Sequence, residues 1–129
     1  MSVQEVLQAA LVEALSGLAV TRVFDAPPVR AARPYALVEE AWLVDWSTKD
    51  MAGREGRFAV ALFDTGERPA RLRALAGAAE TAIEAMPRVL GEGWAIASLT
   101  LLRSRIARDG DARWTATSEF RVRMLRSEY

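Results

Sequence analysis

Two alternating runs near the C-terminus constrain the fold more than any other feature of the chain. Residues 94–107 and 113–125 flank Asp109-Gly110-Asp111, whose residue types suit a tight turn, so the pair predicts an antiparallel hairpin. Side-chain chemistry suggests its register. If paired residue numbers sum to an even value of about 220, Ile96, Thr100, Leu102 and Ile106 share a face with Met124, Phe120, Ser118 and Trp114. The opposite face then holds Leu99, Leu101, Arg103 and Arg105 across from Thr115, Thr117, Glu119, Arg121 and Arg123. A one-residue slip would bury arginines.

Upstream, residues 2–18 read as an amphipathic helix, with Val3, Val6, Leu7, Ala10, Leu11, Ala14, Leu15 and Leu18 at helical spacing. Ser2 and Glu5 have capping-box spacing, and Ser16-Gly17 marks the end. A short apolar piece, residues 20–24, runs into Pro27-Pro28 and reads as an ordered connection or a sheet edge. Residues 34–46 predict one strand, interrupted by Glu39 and Glu40. The polar stretch 47–56, carrying Gly53 and Gly56, predicts a loop of about ten residues before a strand over 57–63. Pro69 suits a first helical turn. Leu72, Leu75, Ala76, Ala79, Ile83 and Met86 then form one stripe that Pro87 ends. The expected architecture is α+β in the order α-β-β-α-β-β: an antiparallel sheet of about four strands with two helices on one face.

A chain of 129 residues, 51% hydrophobic, is expected to form a single domain over residues 1–129 with a substantial core. It contains no cysteine and no histidine. Thiol catalysis, thiolate metal sites and Ser-His or Cys-His relays are therefore excluded, and no catalytic, cofactor or metal residues are assigned. Seventeen basic residues balance seventeen acidic ones, so no net field draws the molecule to nucleic acid or an anionic membrane. No apolar run approaches the roughly 20 residues that span a bilayer. The N-terminus MSVQEVLQ has no signal-peptide pattern, which predicts a chain that starts in the cytoplasm.

Several candidate sites yield to plainer readings. Asp109 and Asp111 could share a cation, but no third ligand sits nearby, and a turn accounts for both. Glu39 and Glu40, neighbours on a strand, point to opposite faces and cannot act on one atom. Gly91-Glu92-Gly93 precedes a strand, where a dinucleotide motif must follow one. Arginines 103, 105, 108, 121, 123 and 126 could contact phosphates, yet their face of the hairpin has no aromatic residues and Glu119 interrupts it. Leu99 and Leu101 among them favour a subunit contact. The 45–55 segment, with Trp46, Lys49, Met51 and Arg54, reads either as a surface loop or as an arm reaching a neighbour.

Asp45-Trp46-Ser47-Thr48-Lys49 and Gly53-Arg54-Glu55 are the most distinctive stretches. With the Val6-to-Leu15 type of helix, Pro34-Tyr35, the second helix, Arg108-Asp109-Gly110 and Phe120-Arg121-Val122-Arg123, they give the chain a resemblance over nearly its whole length. It resembles the tail-completion or tail-terminator proteins of long-tailed bacteriophages and gene transfer agents. It departs from the looser pattern at Asp64 and in a short connection over residues 20–34. The resemblance implies a non-enzymatic virion protein without cofactors. Such a protein forms a ring, usually a hexamer, on the head-proximal end of the tail tube, ends tube growth and helps join tail to head. Implied partners are further copies of itself, the tail tube protein and a head-tail connector or stopper; neither a membrane nor sequence-specific nucleic acid binding is implied. On that reading the expected contact residues are Trp46, Lys49, Arg54, Arg103, Arg105 and Arg121. Alternatives are a neck connector, another tail protein or a binding module unrelated to phage.

Overall fold

The computed structural model describes residues 1–127. The elements run α1 (Val3–Ala14), β1 (Val23–Phe24), β2 (Tyr35–Val38), β3 (Trp42–Asp45), β4 (Ala52–Thr65), α2 (Ala70–Glu84), β5 (Trp94–Arg108) and β6 (Arg113–Arg126). The α+β class and the two helices are as expected, but the sheet has six strands rather than about four, and the order is α-β-β-β-β-α-β-β. The strands lie β1-β2-β4-β6-β5, with β3 also paired to β4. Every pairing is antiparallel except β1 with β2.

The extra strands have local causes. β1 is the apolar piece before the prolines, adding a two-residue edge. The expected 34–46 strand is split: Val38 pairs with Val60 and Trp42 with Arg57, so three residues oppose two, as in a β-bulge. Glu39 and Glu40 are both exposed there, and Glu40 lies beside Gln4 and Gln8 of α1. Helix α1 satisfies backbone groups that the interruption leaves over. Gln8 Nε2 donates to the Val38 carbonyl at 3.0 Å and Gln4 Nε2 to that of Ala41 at 3.1 Å.

The predicted ten-residue loop does not form. Strand β4 begins at Ala52, and the connection shrinks to a turn over residues 47–51. The Trp46 N–H bonds the Gly53 carbonyl at 2.9 Å and the Thr48 N–H that of Met51 at 2.8 Å. Gly53 and Gly56 are strand residues whose missing side chains let β3 approach: a Cβ on Gly56 would collide with the Trp42 carbonyl.

Helix α1 starts as predicted, with the Glu5 N–H bonded to Ser2 Oγ at 3.2 Å and the Ser2 N–H to Glu5 Oε2 at 2.9 Å. It ends at Ala14, before the expected Ser16-Gly17 stop. Helix α2 buries its predicted stripe, and Pro69 stands just before its first residue. Both helices cover the sheet face that carries Val38, Phe58, Val60, Leu62, Phe120, Val122 and Met124, forming one apolar cluster. Phe58 and Phe120 stack across β4 and β6 with centroids 5.1 Å apart.

The β5–β6 hairpin follows the expected register only at its open end, where Ile96 faces Met124. Irregularities between Ile96 and Ser98 and between Leu101 and Arg103 each insert one residue into β5. Thr100 therefore faces Arg121 rather than Phe120, Ser104 rather than Leu102 faces Ser118, and Trp114 lies opposite Arg108 rather than Ile106. Each bulge reverses which face successive residues occupy. Leu99 and Leu101 consequently oppose Val122 and Phe120 and pack against the core, correcting their expected place among the arginines.

Candidate functional site

The sheet face turned away from the helices is the candidate contact site. Alternation along paired strands places Trp42 and Val44 of β3, Glu55 and Arg57 of β4, Arg121 and Arg123 of β6, and Arg103 and Arg105 of β5 on that side. Its charges are partly matched. Arg123 Nε donates to Glu55 Oε2 at 2.9 Å, while Arg57 Nη1 donates to Glu119 Oε1 at 3.4 Å and Arg103 Nη2 stands 3.9 Å from Glu119 Oε2. The expected interruption by Glu119 is therefore a bridge between two arginines. Among the described residues Arg105 and Arg121 have no ion-pair partner.

Of the expected contact residues, Arg103, Arg105 and Arg121 share this face. Trp46 joins them just past β3, with the Arg123 guanidinium 5.3 Å from its ring centroid. Lys49 lies exposed in the turn at the end of the β3–β4 arm. Arg54 is not with the others: it pairs with Met124 on the helix side of the sheet and is half-buried. Trp42 was missed although it is 64% exposed, as was Arg57, while Arg123, weighed with the hairpin arginines, was left out of the expected contacts. The available signal was Trp42-Val44-Trp46, a period-2 apolar series beside arginines.

The β5–β6 hairpin contributes no aromatic ring to this face, but its neighbours do. Phe24, Tyr35 and Phe63 form a cluster in which Tyr35 and Phe63 stack at 4.7 Å, and the Arg33 guanidinium lies 5.9 Å from Tyr35 and 5.6 Å from Phe63. These rings already have cation partners within the chain. Beside them is a shallow depression of about 440 Å³ lined by Phe63, Arg103, Arg105, Arg108, Thr115 and Thr117.

Among the described residues the most buried carboxylate belongs to Asp64, 3% exposed. Arg71 Nη2 and Nε donate to its two oxygens at 2.6 and 2.9 Å, and the Thr65 N–H donates to Oδ1 at 2.8 Å. The Arg71 hydrogen bond, outweighing burial, holds the Asp64 carboxyl below its ordinary value, and the same pair raises Arg71. This two-pronged clamp ties α2 to the end of β4 and leaves no free base. At the predicted turn, Asp109 Oδ2 accepts the Thr115 hydroxyl at 3.2 Å, and Arg108 lies 3.8 Å from Asp111. Among the described residues no group of three or more acidic side chains is placed to hold a metal. The arrangement offers a broad, hydrogen-bonding, charge-patterned surface suited to another macromolecule.

Comparison with known proteins agrees with that character. The family described as "Tail completion protein gp17" matches residues 3–125. A solved structure of the virion of a native gene transfer agent particle contains a chain similar to this one. The TM-score is 0.76 and the identity 27%, over 96% of this chain and 98% of that one. No curated protein matches the chain. With its sequence matched from the first residue of α1 almost to the end of β6, the chain belongs to the tail completion protein family.

Proposed function

We propose that this chain is a non-enzymatic structural component of a phage-like tail: a terminator that forms a ring, expected to be a hexamer, at the head-proximal end of the tail tube. The observation that carries the reading is the end-to-end similarity to a chain within an assembled gene transfer agent virion. One ring face would match the last layer of tube protein, and an unlike opposite face would receive a head-tail connector or stopper without templating another layer. Mechanism then lies in complementary surfaces, and the arginine-bearing sheet face supplies one of them. The single domain over residues 1–129 would assemble in the cytoplasm of the producing bacterium and remain in the particle's tail. Trp46, Lys49, Arg103, Arg105 and Arg121 would contact neighbours; Arg54 would do so from the helix side.

Electron microscopy of particles from a producing strain lacking this gene tests the reading. Headless tails of uncontrolled length are expected. Tails of normal length that fail to join heads would move the assignment to a neck connector, and intact particles would end the tail assignment.

A further inference from the structure

Two exposed apolar features lie on opposite sides of the molecule and differ in shape. One is a ridge on edge strand β3, where Trp42 and Val44 are 64% and 41% exposed on the face turned from the helices. The other is a groove of about 730 Å³ on the helical side, between α1 and the segment following α2. Its walls include Val6, Ala10, Ala14, Met86, Val89 and Leu90. Val89 on this wall is 78% exposed, an apolar surface open to solvent.

We propose that the Trp42–Val44 ridge of one copy seats in the α1–α2 groove of the next. The occupant of the groove is thus a second copy of this chain. Small alanines on the groove wall leave room for a flat indole, and tryptophan and arginine are among the residue types enriched at interface hot spots. Charge is complementary as well. Arg121 adjoins Trp42 and Val44, Glu13 lies on the groove wall, and neither has an ion-pair partner among the described residues. Because ridge and groove are different patches on opposite faces, the contact is heterologous, the class of contact that closes a ring when its rotation divides a full turn. The proposal rests on the ring reading above, which the tail-length experiment tests separately.

The absence of cysteine makes the test direct, since an introduced thiol is the sole thiol in the molecule. Val44→Cys marks the ridge and Ala9→Cys the exposed wall of the groove. Purified full-length variants, mixed at high concentration with a bismaleimide, are expected to give cross-linked heterodimers. Either variant alone should give only background. Adding Trp42→Asp to the Val44→Cys chain, with its fold checked by circular dichroism, should weaken cross-linking about tenfold or more. Homodimers from Val44→Cys alone would mean that like patches meet, and they would overturn the proposal. Heterodimers no more abundant than in the Trp42→Asp control would also overturn it, leaving the groove to a tube or connector protein.

Discussion

The two faces of the sheet are written by alternate residues of the same strands, yet they do unlike work. Phe120 is completely buried and stacked on Phe58, while the next residue, Arg121, is exposed and unpaired by any carboxylate among the described residues. On one side the strands supply apolar volume to the helices. On the other they present arginines, a bridging Glu119 and tryptophans to solvent. The difference teaches that stability and recognition are separated here by side-chain direction rather than by region, so adjacent substitutions should have opposite signatures.

The largest effect should come from testing that separation directly. Phe120→Ala opens a cavity under both helices and is expected to cost about 3–5 kcal/mol in urea-unfolding experiments. Arg121→Ala, one residue away, should stay within about 0.5 kcal/mol of the parent. Comparable losses from the two would show that both faces hold the fold.

Next in size is Gly56→Ala, which sets the helix-covered face against the β3 arm. The added methyl would strike the Trp42 carbonyl, which is backbone and cannot rotate away. A loss of about 3 kcal/mol is expected, with β3 displaced, read as a drop in Tm and a change in tryptophan fluorescence. An unchanged Tm would mean that the arm is loosely attached.

The Asp64–Arg71 clamp joins α2 to the sheet, and its sign with pH follows from the lowered Asp64 value. A carboxylate whose folded pKa is depressed stabilises fully above its unfolded value, near 3.8, and loses that contribution as pH falls through the lower folded value. Asp64→Asn should therefore cost about 2 kcal/mol at neutral pH, an amount held down by solvent reaching the exposed Arg71. The gap between variant and parent should narrow as pH drops below 3.8. A pH-independent gap would assign the loss to shape rather than charge.

Much of the helix-covered face was legible because periodicity reports burial: the α2 stripe from Leu72 to Met86 and the α1 capping box both appear where expected. What failed was parity. Three inserted residues, one near Glu39-Glu40 and two in β5, each reverse the in-out alternation without changing composition. Unbroken alternation thus puts Leu99 and Leu101 with the arginines, and composition alone reads Gly53 and Gly56 as loop residues although close strand approach explains them. The contact face was partly legible: Arg103, Arg105 and Arg121 fall together, but Arg54 faces the other way because it shares β4's helix-side alternation with Phe58. Trp42 escaped notice because exposure of one aromatic in an apolar run depends on that same parity.

The smallest expected effect on stability is the sharpest test of the open face. Arg103→Glu with Arg105→Glu removes a 3.9 Å contact to Glu119 and changes two exposed residues, so unfolding free energy should move by less than about 0.5 kcal/mol. Arg57 remains 3.4 Å from Glu119 to limit the repulsion that the reversed charge at position 103 introduces. Assembly should respond very differently, because like charges brought together at an interface cost far more than they do in water. Tails from a strain carrying the double variant are expected to lose their uniform length while the purified chain melts normally. If both tail length and ring formation survive, the arginines are a solvating surface, and recognition resides in the Trp42 ridge and the helical groove instead.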